Sequence, residues 1–189
     1  PPLGFKDLPG FDRYVISEDA EQVFGQEQPD TLILAQLLAV AGRPLAGATL
    51  GALSGLGQTA LSTAVGSLSR RGVVAKSFSQ GELLLAFAQA NDQNAIYGQI
   101  PPATRRALHL QLADHLAAQG GDQELEACAE HMLRADVGSR AVEVTLRAGE
   151  RLEIALSFSR AAEMYQRALP HAQDPGQREA LLDKLASLL

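Results

Sequence analysis

"GALSGLGQTALST", residues 51–63, decides whether this chain holds a nucleotide or serves as a helical module. A phosphate-binding loop needs glycine, four residues and then Gly-Lys-Ser/Thr, because backbone N–H groups wrap the phosphates and the lysine neutralises the outer ones. Here Gln58 stands at the lysine position, five residues separate Gly51 from Gly57, and what precedes them has a helical pattern in place of a buried strand. The stretch therefore reads as a turn between two helices. No cofactor is expected.

Upstream, Asp30 or Thr31 can cap a helix whose apolar positions Leu32, Leu34, Leu37, Leu38 and Val40 run to a stop at Gly42. A second, short helix is expected over 45–53 and a third over 58–71, the latter turning Leu61, Val65 and Leu68 inward and closing at Gly72. Then "VVAKSFS" and "ELLLAFAQ", separated by "QG", read as two strands of a hairpin. Three helices and a hairpin predict a winged-helix domain over residues 30–99. Residues 1–29 hold four of the nine prolines and sustain neither period, so they are expected to be a linker or N-terminal arm.

Downstream the pattern is helical throughout. A segment near 92–98 leads to Pro101 or Pro102, which opens a helix ending at Gln119 before Gly120 and Gly121. Further helices fit 123–135, 140–154, 157–169 and 176–189, and their short connections predict antiparallel hairpins. "AVEVTLRAGERLEIALSFSRAAEMYQRAL", residues 141–169, carries the spacing of a tetratricopeptide unit. Ala148, Gly149 and Leu152 fall in its first helix, and Ala161, Tyr165 and Ala168 in its second. Small residues let the two helices approach while the tyrosine fills the space toward the next hairpin. Ala127 and His131 fall in loosely matching places of an earlier unit, and "GQREALLDKLASLL" looks like the first half of a later one. The expected fold is thus mainly α: a winged helix with a short β-hairpin, followed over 100–189 by tetratricopeptide-like hairpins in an array that continues past Leu189.

Composition narrows the function. Apolar residues make up 46% of the 189, yet only 5% are aromatic and none is tryptophan, as suits helices crossing on small side chains. The net charge of -6 opposes attraction to nucleic acid or an acidic membrane. "LILAQLLAVAG", residues 32–42, is the longest apolar window, about half of the roughly 20 residues a span requires. Cys128, the single cysteine, fits a reducing cytosol and excludes an internal disulfide. A recognition helix at 58–71 would offer Gln58, Thr59, Ser62, Thr63 and Ser67, with Arg70 and Arg71 only at its last turn, which argues against DNA contact. Cys128 and His131 lie three apart and His109 and His115 six apart, so no four-ligand metal set is evident. No Gly-x-Ser-x-Gly turn marks a nucleophile. Arg105, Arg106 and His109, at the start of the helix after Pro102, could meet an anion or an acidic partner module. Arginines so placed more often form ion pairs on a solvated face.

The runs "FAQANDQNAIYGQIPPATRRALHLQLADHL" (87–116), "EHMLRADVGSRAVEVTLRAGERL" (130–152) and "YQRAL" (165–169) resemble the region that follows the ATPase core in large bacterial STAND regulators. Those include LuxR-type transcriptional activators and multidomain Ser/Thr kinases and cyclases. The resemblance covers residues 31–170 and is most specific over Ile100–Leu116, at Pro101, Pro102, Arg105, Arg106, Leu108, His109, Leu112, Ala113 and Leu116. It implies a winged helix packed on a nucleotide-binding core, and repeats that sense ligands or partner proteins. The chain keeps Phe87 and Tyr97 of the family's Phe-x-His-Asp…Tyr pattern but has Gln89 and Ala90 at the His-Asp positions, so a switch role for that pair is not carried over. The implied function is a non-catalytic, cytoplasmic signalling fragment with a hinge near 92–102. Its partners would be the neighbouring ATPase or effector domain of the same chain and a protein or small-molecule ligand in the repeat groove. The alternative is a winged-helix DNA-binding transcriptional regulator.

Overall fold

The computed structural model describes residues 29–79, 81–121 and 124–188. It is mainly helical, with one small three-stranded antiparallel sheet among the described residues. The expectation for residues 1–29 lies, apart from Pro29, outside the described residues. The chain divides into two compact units, Pro1–Leu108 and His109–Leu189.

In the first unit, α1 (Pro29–Ala41) is followed by β1 (Leu45–Ala46), α2 (Gly47–Ser54), α3 (Gln58–Arg70), β2 (Val74–Ser79), β3 (Glu82–Phe87), α4 (Ala90–Gln99) and the opening of α5 (Pro102–Gln119). Helix α1 packs against α2, α3, α4 and β3 and is buried from Thr31 to Ala41. That is why its sequence is apolar on every face and shows no stripe. Asp30, expected as a cap, sits in the helix's first turn, where its charge suits the exposed N–H groups.

The β2–β3 hairpin pairs Val74 with Phe87 through Ser79 with Glu82. Strand β1 pairs with β3 on its other edge, Leu45 opposite Leu85 and Ala46 opposite Leu84, giving the order β1-β3-β2. Here the structure corrects the sequence: Leu45 and Ala46, expected to begin the second helix, form a strand, and the helix starts at Gly47. A two-residue strand has no period to read, and it exists because Leu45 is buried against the edge of β3. In α3 the core residues are Ala64, Val65 and Leu68, while the expected Leu61 is only partly covered.

The second unit contains α5 from His109 onward, α6 (Leu125–Ala135), α7 (Ser139–Ile154), α8 (Phe158–Ala168), a 3-10 turn (Leu169–His171) and α9 (Pro175–Ser187). Each of these helices is within a few residues of its expected bounds. Helix α7 packs against α6 and α8, and α9 against α8 and α7. Connections of three residues between such neighbours reverse the chain, so they form helical hairpins. Asp174 caps α9 by accepting from the Gln177 N–H at 3.0 Å, with Pro175 at the first position.

A register runs through this unit. Cys128, His131, Met132 and Ala135 are buried on α6, and Ala161, Met164, Tyr165 and Ala168 are buried on α8, each 33 positions later. On α5, His109, Leu112, Ala113 and Leu116 are buried, and on α7 Thr145, Ala148, Gly149 and Leu152, each 36 positions later. The sequence matched Ala127 and His131 to Ala161 and Tyr165. Burial places the matching pair one residue on, at Cys128 and Met132. No helix among the described residues is long and apolar enough to cross a membrane.

Candidate functional site

The glycine-rich stretch is built as a turn. Ser54 ends α2, Gly55 takes φ +67, and Gly57 precedes the first residue of α3. A helix stands before it, and the strands of the nearby sheet are antiparallel, so the strand-to-helix context of a phosphate loop is missing here. The face of α3 opposite its core carries exposed Gln58, Thr59, Ser62 and Thr63, with Arg70 at its end. On the adjoining hairpin Phe78 is 77% exposed.

The six residues expected to pack the repeat are all buried. Ala148, Leu152, Ala161, Tyr165 and Ala168 belong to a single buried cluster. Gly149 faces the Tyr165 ring so closely that a Cβ there would stand 2.2 Å from Cε1. Glycine at this position is therefore a condition for the tyrosine. The ring is fully buried and its hydroxyl donates to Glu153 Oε1 at 2.5 Å. Burial first, and then the Glu153 carboxylate, push the phenol above its ordinary range, so it stays protonated as the donor. Lys184 of α9 reaches the same carboxylate at 3.3 Å and Glu150 at 3.3 Å. Burial works against its charge, but hydrogen bonds to Glu153 and Glu150 more than offset this and raise the ammonium above the ordinary lysine value. Sequence reasoning missed Glu153 and Lys184: they are 31 residues apart on different helices, and no local pattern joins them.

Exposed polar pairs join these helices. Arg160 meets Glu126 at 2.6 Å and Arg167 meets Glu130 at 2.9 Å, joining α8 to α6, and a hydrogen bond of 2.9 Å links His171 Nδ1 in the 3-10 turn to Asp136 Oδ1, the residue that follows α6. Arg140 of α7 meets Asp114 of α5 at 2.5 Å. These pairs are exposed enough to orient the helices more than to stabilise them.

Arg105, Arg106 and His109 do not share one surface. The Arg105 guanidinium lies 5.0 Å from the centroid of the Tyr97 ring. Arg106 is exposed, and His109 is buried to 1% exposure. His109 instead meets His131, Nδ1 to Nδ1 at 2.8 Å, with ring centroids 5.1 Å apart and planes tilted by 36°. Cys128, one turn before His131, donates its thiol to the Ala113 carbonyl at 3.4 Å. Burial pushes that thiol above its ordinary range, while Arg140 and Arg147 partly counter it. A cavity of about 100 Å³ opens beside it, lined by Leu116, Gly120, Leu125, Val144 and Arg147 among others. Among the described residues no three His, Cys, Asp or Glu side chains are grouped to hold a metal ion. No protein-family model, no curated protein and no solved structure matches the chain.

Proposed function

We propose that this chain is a non-catalytic protein-interaction and signal-relay fragment of a STAND-type ATPase regulator, made of a winged-helix module and tetratricopeptide-like hairpins. The observation that carries the reading is the repeated burial register of α5–α6 and α7–α8, with Tyr165 seated on Gly149. Such hairpins bury their apolar faces only on one another and leave an extended surface for partners. The element order α1-β1-α2-α3-β2-β3 and the strand order β1-β3-β2 support the winged-helix half of the reading. Its relay role would couple the repeats' ligand to a neighbouring ATPase or effector domain of the same polypeptide, in the cytoplasm.

The test adds the chain in trans to the ATPase segment of a polypeptide that carries it. Complex formation and a changed rate of ATP hydrolysis are expected. ATP and magnesium at millimolar concentration should leave the melting temperature of the isolated chain unchanged. An unchanged hydrolysis rate without complex formation would remove the reading.

One observation favours a second reading, a DNA-binding regulator. Residues 29–108 carry six cations (Arg43, Arg70, Arg71, Lys76, Arg105 and Arg106) against three acids (Asp30, Glu82 and Asp92), so this part is net basic although the chain is net -6. A gel-shift titration separates the two. The relay reading expects no duplex binding at low salt; the DNA reading expects binding that weakens steeply as salt rises.

A further inference from the structure

We propose that the open edge of β2 is a docking site for an extended acidic segment of a partner protein, which adds to the small sheet as a fourth strand. This edge is present whichever of the functions proposed above holds. In the order β1-β3-β2, β2 is the outer strand on its side, and among the described residues no strand pairs with its far edge. Five consecutive residues of it, Ala75 to Ser79, are exposed.

The hydrogen bonds to β3 decide which backbone groups face outward. The Ala88 N–H donates to the Val73 carbonyl at 2.9 Å, and these two residues continue the register that pairs Val74 with Phe87. In an antiparallel ladder bonded pairs alternate with unbonded ones, so Ala75, Ser77 and Ser79 turn their N–H and C=O groups to β3. Lys76 and Phe78 turn theirs to the open side. An added strand takes its main-chain bonds from such groups and its specificity from alternate side chains.

Those side chains select the strand. Lys76 lies opposite Leu85 and Phe78 opposite Leu83, so both stand on the face of the hairpin that carries the buried Leu85. Beyond the core the Phe78 ring is 77% exposed, and Lys76 is exposed as well. A strand added antiparallel, as every pairing in this sheet is, meets Phe78 first and Lys76 two residues later. An apolar residue opposite the ring and a carboxylate opposite the ammonium, in the order apolar-x-acidic, complement both. The charge around the edge agrees. Arg70 is exposed four residues before Val74, and residues 29–108 carry six cations against three acids. The same lysine disfavours other occupants: a second copy aligned on Lys76 would set ammonium against ammonium, and a basic strand would do likewise.

The test titrates the whole 189-residue chain with a blocked peptide Thr-Ile-Thr-Glu-Thr and with its counterpart carrying lysine in place of glutamate. Nitrogen-15 amide spectra and hydrogen exchange give the readout. In the free chain the Ala75 and Ser77 amides should be protected by β3 while those of Lys76 and Phe78 exchange quickly; the acidic peptide should slow the latter two. The lysine peptide should bind about tenfold more weakly, the swing between a favourable and an unfavourable cross-strand pair. Lys76→Glu should reverse that preference. Phe78→Thr should weaken both peptides and leave the melting temperature unchanged, because the ring is exposed. Equal affinity for the two peptides, or no binding at millimolar concentration, would overturn the proposal. So would slow exchange of Lys76 and Phe78 in the free chain. If independent of protein concentration, it would assign the edge to a segment of the same chain, such as residues 1–28 with their six acids and two cations; if it rose with concentration, it would assign the edge to a second copy.

Discussion

The hairpins α5–α6 and α7–α8 bury residues at matching positions but fill them differently. Where the second hairpin sets a glycine against a tyrosine, Gly149 and Tyr165, the first sets alanine and methionine, Ala113 and Met132, at the matching places. Where the first turns out of its long helix on Gly120 at φ +68, the second uses Leu156 at φ +57. Where the first buries two histidines, the second buries Thr145 and Met164. The positions, and not the residues, are what repeat. Close packing allows this because a large side chain on one helix can be matched by a small one on its neighbour.

The largest expected effect is at the tyrosine. Tyr165→Ala removes a fully buried ring and the bond to Glu153, and should cost about 3–5 kcal/mol in urea denaturation. An unchanged midpoint would mean that α8 is not held by this ring, and the comparison would lose its centre.

Gly149→Ala comes next. Its new methyl would lie 2.2 Å from the ring, so overpacking should cost about 1–3 kcal/mol. The sharper test combines it with Tyr165→Met, which imports the alanine–methionine solution of the first hairpin. The two changes share one contact, so the double variant should be more stable than the sum of the singles allows. Strict additivity would show that the two hairpins are not equivalent at this position.

How far the sequence disclosed this depends on how local each cause is. Gly149, Tyr165 and the alanines around them were legible because one hairpin of adjacent helices fixes their offsets. The outlines of α1, α3 and the β2–β3 hairpin were legible from apolar runs and turn residues. Strand β1 was not, because two residues carry no period and the strand is imposed by its pairing with β3. The His109–His131 contact was hidden too: His109 looked like part of a surface cluster with Arg105 and Arg106, and only the packing of α6 turns it inward. Charge read over the whole chain likewise concealed the net basic stretch 29–108.

A third contrast is titratable. The second hairpin holds a buried phenol where the first holds a thioether, so only the second should respond to alkali at this position. The folded state keeps the Tyr165 proton past the ordinary tyrosine value of about 10, while the unfolded chain releases it there. Stability is therefore full below about pH 10 and declines above it, by at most about 1.4 kcal/mol per pH unit for this one proton. Lys184, also raised, adds a decline of the same sign. Tyr165→Phe should remove the phenol's share, read as a shallower loss of urea midpoint between pH 9.5 and 11; an identical slope in wild type and variant would show that the hydroxyl is not held as described.

The smallest effect lies at the turn between α7 and α8. Leu156 is a non-glycine residue in the left-handed region and its side chain is 76% exposed, so it is strained there and gains little from burial. Its N–H bonds Glu153 O at 2.9 Å, as the Gly120 N–H bonds Ala117 O at 3.2 Å in the first hairpin, which makes the two positions equivalent in backbone terms. Leu156→Gly should release about 1–2 kcal/mol of left-handed strain. It also gives the unfolded chain about 0.4–1 kcal/mol of extra freedom, so the net gain should be about 0.5 kcal/mol, near one degree or two in melting temperature. A loss of 1 kcal/mol or more would mean that Leu156 packs on something this turn does not reveal. With exposed Ile154 and Phe158 on either side, such a loss would mark the turn as a place where this hairpin is covered and the first is not.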